Sequence, residues 1–150
     1  EASGEEWVVA VPSFDRMDSI GQRTLALLAD SGIPEDRVFV FVDPTQFEQY
    51  EKRLRGSRCR FVRGDRGICG QRNCIMRHFP PGSRVVEMDD DIEGLEVVSK
   101  PLDHDRSNSL VRVPNASLKR VFDHLWQVAD REGCSLWGVY SMSNAFFMSH

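Results

Sequence analysis

Short β-branched runs alternate with segments of helical periodicity from residue 7 to residue 88, and this alternation restricts the fold more than any other feature. The predicted strands are residues 7–12, 37–43, 60–63 and 84–88. The predicted helices are residues 20–29, with Asp18 or Ser19 as N-cap, residues 45–54, with Thr45 as N-cap, and residues 67–79. Because strands joined through helices run parallel, the sequence predicts an α/β fold with a mainly parallel sheet and helices on both faces.

The second part of the chain has a different pattern. No period persists over residues 98–114, which predicts a mobile loop. Residues 117–132 predict an amphipathic helix with Asn115 or Ser117 at its N-cap and Gly133 at its end, and residues 135–140 predict a strand. We expect a single domain, with residues 144–148 beginning an element of a fold that continues beyond residue 150.

Composition and cysteine spacing exclude several classes of protein. No apolar run approaches the roughly 18 residues that a membrane-spanning helix needs. The four cysteines have neither the CxxC spacing nor the nearby histidines of a zinc site, and four thiols are compatible with a reducing compartment. The sequence therefore predicts an intracellular protein of the cytoplasm or nucleus, with a viral protein in a host cell as a further case.

The net charge of −4 conceals a segregation of charge. Residues 52–84 contain ten basic residues and one acid, a net charge of +9, and residues 87–96 contain six acids. Such neighbouring runs suit phosphate and metal binding, whereas a solvated surface with compensating ion pairs is the commoner explanation.

Three adjacent carboxylates, Asp89, Asp90 and Asp91, follow the strand predicted at residues 84–88. Open α/β sheets bind ligands at the carboxyl ends of their strands. The mutual repulsion of three acids is relieved most simply by a divalent cation, and Mg²⁺ or Mn²⁺ suits one or two carboxylates together with substrate phosphates. A DxD sequence alone is a weak signal, and the preceding strand strengthens it.

Two further groups of residues lie where neighbouring elements begin or end. Residues 66–73 (RGICGQRN) open a predicted helix, whose N-terminus favours anions and whose Arg72 can form two hydrogen bonds to a phosphate. The alternative interpretation is that the glycines serve the loop and the packing and that Arg72 forms an ion pair at the surface. Residues 12–16 (PSFDR) end the first strand and Asp43 ends the second. Carboxylates there can accept a hydrogen bond from a base or a ribose, although each alone is more often a cap or turn residue.

The order of these motifs resembles the nucleotide-sugar half of GT-A fold glycosyltransferases, notably inverting family 2. The motifs are residues 11–16 (VPSFDR), Asp43, residues 70–73 (GQRN) and residues 88–92 (MDDDI). More specifically, residues 31–40, 71–73, 88–94, 136–140 and 143–148 are similar to the TET-associated glycosyltransferase group, so the resemblance spans nearly the whole chain. That group is inferred to transfer sugar to hydroxymethylated pyrimidines in DNA and is similar to the glucosyltransferase of base J synthesis.

The resemblance implies a GT-A, Rossmann-like fold with a nucleotide-sugar part at residues 1–97 and the start of an acceptor part at residues 115–150. It implies a transferase that takes sugar from a nucleotide sugar, expected to be a UDP-sugar, to a hydroxyl acceptor such as a hydroxymethylpyrimidine in DNA, with Mn²⁺ or Mg²⁺ as cofactor. The metal ligands that it implies are Asp89 and Asp91. The nucleotide-sugar residues are Pro12, Ser13, Asp15, Arg16, Asp43, Gly70, Arg72 and Asp90. The acceptor residues are Trp137 and Asn144.

The chain also departs from the family pattern. It has Ser143 and Ala145 where the family reads Asn-Asn-Pro-Phe-Phe, and no carboxylate follows Glu132. An inverting transferase needs a general base for the acceptor hydroxyl, so the base is expected outside this chain, with Asp103, Asp105 and Asp123 as alternatives within it. A GT-A-like binding module without catalysis is the second hypothesis. A nucleotidyltransferase is the third, although the first strand lacks the Gly-rich, basic loop of such enzymes.

Overall fold

The computed structural model describes residues 6–98 and 110–139. The chain divides into two compact units, Glu1–Glu93 and Gly94–His150.

The first unit is built on a four-stranded parallel sheet. Its strands are β1 (Trp7–Ser13), β2 (Val38–Val42), β3 (Arg60–Arg63) and β4 (Arg84–Glu87), in the order β3-β2-β1-β4. Every pairing within it is parallel: Val9 pairs with Val38, Phe39 with Arg60 and Trp7 with Arg84. The predicted α/β class and the four predicted strands are confirmed, each to within a residue or two at its ends.

Helices flank this sheet. They are α1 (Thr24–Asp30), which follows a 3-10 turn at Ile20–Gln22, α2 (Phe47–Arg53) and α3 (Gly67–His78). On one face, Ile75 of α3 packs with Ala10 and Phe41 in the core. Ser13 belongs to the other face because side chains alternate along a strand, and its hydroxyl contacts Tyr50 of α2. Helices therefore cover both faces, as predicted.

The predicted helix starts were wrong in two places. The segment at residues 20–29 is interrupted at Arg23, which is the N-cap of α1. Ser19 occupies the N-cap position of the preceding 3-10 turn without a side-chain cap hydrogen bond, and Asp18 binds Arg53 instead. Thr45 is not the N-cap of α2, which is Gln46; the Thr45 hydroxyl binds Asp43. Asp18 therefore binds a residue of another helix, and Thr45 binds a residue of its own turn, instead of capping a helix.

The second unit contains a pair of antiparallel strands and one long helix. Strands β5 (Glu96–Val98) and β6 (Leu110–Arg112) pair antiparallel, so the ends of the predicted loop 98–114 are strand, and residues 99–109 lie outside the described residues. Helix α4 (Leu118–Glu132) confirms the predicted helix. Of the two predicted N-cap residues, Ser117 occupies the N-cap position of α4, without a side-chain cap hydrogen bond, whereas Asn115 lies in a preceding 3-10 turn.

The end of α4 follows its sequence signal. Gly133 has φ of 66°, and the amides of Gly133 and Cys134 donate to the carbonyls of Asp130 and Ala129, which is a Schellman motif. Residues 135–139 form no strand, so that prediction was wrong for the described part of residues 135–140. The predicted element at residues 144–148 lies outside the described residues.

None of the helices in residues 6–98 and 110–139 is long and apolar enough to cross a membrane. All four cysteines, Cys59, Cys69, Cys74 and Cys134, are free thiols.

Candidate functional site

A cleft of about 400 Å³ opens at the carboxyl ends of the parallel strands in the first unit. Strand β1 has β2 on one side and β4 on the other, so the loops that follow these strands diverge at their carboxyl ends. Open α/β sheets bind ligands at such a point. The lining residues come from the ends of β1, β2 and β4 and from the start of α3. They are Pro12, Ser13, Phe14, Arg16, Asp43, Gly67, Ile68, Gln71, Asp89, Asp90 and Asp91.

Asp90 is the best anchored of the three adjacent acids. The Ser13 hydroxyl donates to its Oδ2 at 2.6 Å, and the Arg16 guanidinium lies 4.0 Å from its Oδ1. Burial raises the pKa of the Asp90 carboxyl, and the hydrogen bond from Ser13 opposes that rise, while the neighbouring charge of Asp91 adds to it. Asp90 is therefore a partly desolvated carboxylate in a fixed position between β1 and β4.

Asp43, at the end of β2, is fixed by the turn that follows it. The hydroxyl and the amide of Thr45 both donate to its Oδ1, at 2.6 and 2.9 Å. These two bonds lower the pKa of Asp43, and Arg66 and the Gly67 amide lower it further against the effect of burial. Asp43 is an ionised acceptor at neutral pH and a poor proton acceptor in catalysis, because a lowered pKa means a weak base.

Thr24 holds the turn that carries the three acids. Its buried hydroxyl donates to the Asp89 carbonyl at 2.8 Å and accepts from the Ile92 amide at 2.9 Å. The turn is thus fixed by α1, and its Asp89 and Asp91 side chains are exposed at the cleft.

The donor chemistry of these two side chains suits Mg²⁺ or Mn²⁺, but they are not equally available. Arg72 donates to Asp89 Oδ1 at 3.1 Å and also binds Glu87, whereas Asp91 forms neither a hydrogen bond nor an ion pair with any described residue. Exposed ion pairs are weak, so the Arg72 bond can exchange for another cation. Within the described ranges no three His, Cys, Asp or Glu side chains form a metal-binding group. The residues fit a cation that takes one or two carboxylates and fills its other positions with water and phosphate oxygens.

Helix α3 begins at the cleft, as its glycine signal predicts. Gly67 has φ of 72°, a conformation that glycine adopts readily, and Ile68 lies beside it, 56 % exposed. One turn further on, the buried Gln71 donates from Nε2 to the Ser13 carbonyl at 3.0 Å, while its Oε1 accepts no hydrogen bond. The start of α3 is therefore attached to the end of β1.

The structure gathers most of the predicted site residues into this cleft. Those that line it are Pro12, Ser13, Arg16, Asp43, Asp89, Asp90 and Asp91. Asp15, Gly70 and Arg72 are not among its lining residues. Asp15 has φ of 54° in the loop after β1, Gly70 approaches Asp65 so closely that a Cβ would lie 3.1 Å from the Asp65 Cβ, and Arg72 reaches the site through Asp89.

Of the residues predicted for the acceptor and the base, two belong to the second unit and three are not described. Trp137 belongs to the second unit, where its ring centroid lies 5.8 Å from that of Phe122 and 5.6 Å from that of Trp126. Asn144, Asp103 and Asp105 lie outside the described residues. Asp123 of α4 forms an ion pair with Lys119 one turn away.

The basic run does not form one surface. Arg60 begins β3 and Arg63 ends it, so the run extends to both ends of the sheet. Several of its members have acidic partners: Arg53 with Asp18, Arg63 with Glu48, Arg72 with Glu87 and Asp89, and Arg77 with Asp65. Compensating ion pairs explain this part of the run.

Sequence reasoning missed the side chains that support the cleft. Tyr50, Gln46, Thr24 and Gln71 all bind backbone or side-chain groups of the strand ends. The only local signal of such a supporting residue is a polar or hydroxyl-bearing side chain on the face of a helix that otherwise packs against the sheet.

Comparison with known proteins identifies no relative of this chain. No protein-family model, no curated protein and no solved structure matches it.

Proposed function

We propose that this chain is a metal-dependent glycosyltransferase of GT-A fold, whose first unit binds the sugar donor and which transfers a sugar from a UDP-sugar to a hydroxyl acceptor. The observation that carries the proposal is the cleft in which Ser13 and Arg16, Asp43, and the acid turn Asp89–Asp90–Asp91 meet at the ends of three neighbouring parallel strands. A cleft with carboxylates from two strand ends, apolar residues beside them and a guanidinium nearby suits a ligand with a polar heterocycle and a phosphate group.

The residues divide into two groups by the part of the ligand that they suit. Asp43 is a fixed, ionised acceptor, which suits the N–H of a nucleobase or a ribose hydroxyl. Arg16 lies beside the acid turn, where a guanidinium can pair with phosphate oxygens, and Arg72 can turn to the same group when Asp89 releases it. Asp89 and Asp91 would hold a divalent cation, whose charge would stabilise the diphosphate that leaves the sugar.

An inverting displacement also needs a base that removes the proton of the acceptor hydroxyl. Among the cleft residues, Asp43 has a lowered pKa and the other carboxylates belong to the acid turn. No further carboxylate and no histidine lines the cleft in the described part of the chain. This observation favours a second candidate, a module that binds a nucleotide sugar without transferring the sugar.

The acceptor rests on the resemblance alone. Hydroxymethylated pyrimidine in DNA is the acceptor that it implies, and this part of the proposal has its own assay. The chain is incubated with a panel of UDP-sugars and with duplex DNA containing 5-hydroxymethylcytosine, and glycosylated base is measured by mass spectrometry after digestion.

Titration calorimetry with UDP, with and without Mn²⁺, tests the donor site. We expect binding in the presence of Mn²⁺ and at least tenfold weaker binding without it. Asp91→Ala should abolish the Mn²⁺ dependence without lowering the melting temperature, because the Asp91 side chain has no partner among the described residues. Asp36→Ala is the matched control: Asp36 is also an exposed acid, and it lies in the 3-10 turn before β2, at the opposite end of the sheet.

A folded sample that binds no UDP in the presence of Mn²⁺ contradicts the proposal. Binding of UDP without any glycosylated base or sugar hydrolysis would instead favour the binding module. Release of pyrophosphate from a nucleoside triphosphate and a sugar phosphate would indicate the nucleotidyltransferase.

A further inference from the structure

One face of α2 holds the loop that follows β1. Gln46, at the N-cap of α2, accepts from the Asp15 amide at 2.8 Å, and Tyr50 Oη accepts from the Arg16 amide at 2.8 Å. Arg53 Nε donates to Asp18 Oδ1 at 2.9 Å. Residues 46, 50 and 53 follow one another at helical spacing and lie on one side of a helix. We call these three residues the α2 clamp.

The loop needs such support because it forms no regular structure of its own. Asp15 has φ of 54°, a left-handed conformation that a residue with a side chain seldom adopts without support. Its neighbours Phe14 and Arg16 line the cleft. The clamp residues do not line it, so they act on the cleft only through the loop and through Ser13.

The Tyr50 hydroxyl also joins the loop to the acid turn. Ser13 has a single hydroxyl proton, which it donates to Asp90 at 2.6 Å, so in the 2.9 Å bond between Ser13 and Tyr50 the donor is Tyr50. Tyr50 is fully buried, and its oxygen accepts from the Arg16 amide at the same time. One hydroxyl therefore fixes Ser13, Arg16 and, through Ser13, the Asp90 carboxylate.

We propose that Gln46 and Tyr50 are positioning residues that set the affinity of the cleft for a nucleoside diphosphate, although neither touches the ligand. This proposal rests on the proposed function for the identity of the ligand. It adds that one face of α2, outside the cleft, determines the affinity for the nucleotide of the sugar donor. This face does so because it holds the amides of Asp15 and Arg16, two consecutive residues of the loop after β1.

The test uses Tyr50→Phe and Gln46→Ala, with Glu51→Ala as the control on the exposed side of the same helix. Hydrogen exchange of the Asp15 and Arg16 amides, followed by NMR, reports each bond separately. We expect Tyr50→Phe to speed exchange at Arg16 by at least tenfold and to leave Asp15 unchanged, and Gln46→Ala to show the reverse. A general loss of stability would speed both amides together, so the reciprocal pattern identifies positioning.

The affinity for UDP in the presence of Mn²⁺ is the second measurement. We expect each variant to bind UDP about fivefold to tenfold more weakly, as the loss of one or two hydrogen bonds implies, and Glu51→Ala to bind as the unaltered chain does. Because Gln46 is only half-buried, Gln46→Ala keeps the test available if Tyr50→Phe fails to fold.

The outcomes separate this inference from the proposed function. If the unaltered chain binds UDP and both variants bind it equally well, the inference is overturned and the proposed function stands. If the unaltered chain binds no UDP, the proposed function fails, and unchanged exchange at both amides in the variants overturns the clamp as well.

Discussion

Gly64→Ala should destabilise the fold and disturb the cleft, although Gly64 is not a cleft residue. Gly64 follows β3, and its amide donates to the Val42 carbonyl at 2.8 Å. A Cβ at this position would lie 3.2 Å from Gln71 Oε1 and 3.3 Å from the Val42 carbonyl oxygen. Its φ is not in the left-handed region, so the effect of the added methyl group is steric rather than conformational.

The expected magnitude follows from the bond that the methyl group would break. The strand carbonyl of Val42 cannot retreat, so the Gln71 side chain must move, and it then loses its 3.0 Å bond to the buried Ser13 carbonyl. Leaving a buried acceptor unsatisfied costs about 1–3 kcal/mol. For a chain of this length, a loss of about 2 kcal/mol lowers the melting temperature by roughly 4–8 °C.

Thermal unfolding by calorimetry measures this change, and Gly56→Ala is its control. A Cβ at Gly56 would have no atom within 4 Å, and Gly56 has no positive φ, so its replacement should leave the melting temperature unchanged or slightly raised. In a Gln71→Ala background, Gly64→Ala should cost much less, because the main obstacle to the methyl group is gone. Equal melting temperatures for Gly64→Ala and Gly56→Ala would refute the contact between Gly64 and Gln71.

Two further predictions concern Asp43 and the end of α4. Thr45→Ala removes the hydroxyl that lowers the pKa of Asp43 below its ordinary value of 3.8, so it should cost about 1 kcal/mol at pH 7. Because the pKa of Asp43 is lower in the folded chain than in the unfolded chain, Asp43 stabilises the fold above its unfolded pKa, and this stability is lost as the pH falls through its folded pKa. Urea unfolding should therefore show that the difference in stability between Thr45→Ala and the unaltered chain shrinks below about pH 3.8. A difference independent of pH would contradict this prediction. Gly133→Ala forces alanine to φ of 66° and should cost about 1 kcal/mol in thermal unfolding, whereas Gly138→Ala, with no positive φ, should not; equal effects would show that α4 ends differently.

The sequence predicts the parallel sheet well because each strand is recognised from residues next to one another. A run such as 38–42 (VFVFV) needs no partner to be identified, and strand ends followed by Asp43 or Asp89 indicate where an open α/β sheet has a cleft. The position of the cleft was therefore predictable from the order of strands and acids.

The supporting contacts were not predictable because they join residues far apart in the chain. Tyr50 binds Ser13 across 37 positions, and Thr24 binds the Asp89 carbonyl across 65. Thr45 failed as a cap for a different, local reason: its hydroxyl and its amide both donate to Asp43, which places Thr45 in the turn before Gln46, the N-cap of α2. The contacts of Tyr50 and Thr24 depend on the tertiary fold and leave no local pattern, whereas the bond between Asp43 and Thr45 joins residues two positions apart.

The strand order also determines when the cleft can exist during synthesis. Strands β1, β2 and β3 are consecutive in the chain and adjacent in the sheet, whereas β4, the last to be made, pairs with β1. A chain emerging from the ribosome can therefore pair β1, β2 and β3, with α2 against them, before β4 and the acid turn have left the ribosome. Loop closure between β1 and β4 then adds Asp90 to a Ser13 and Tyr50 pair that is already in place, so the cleft should be completed in one late step.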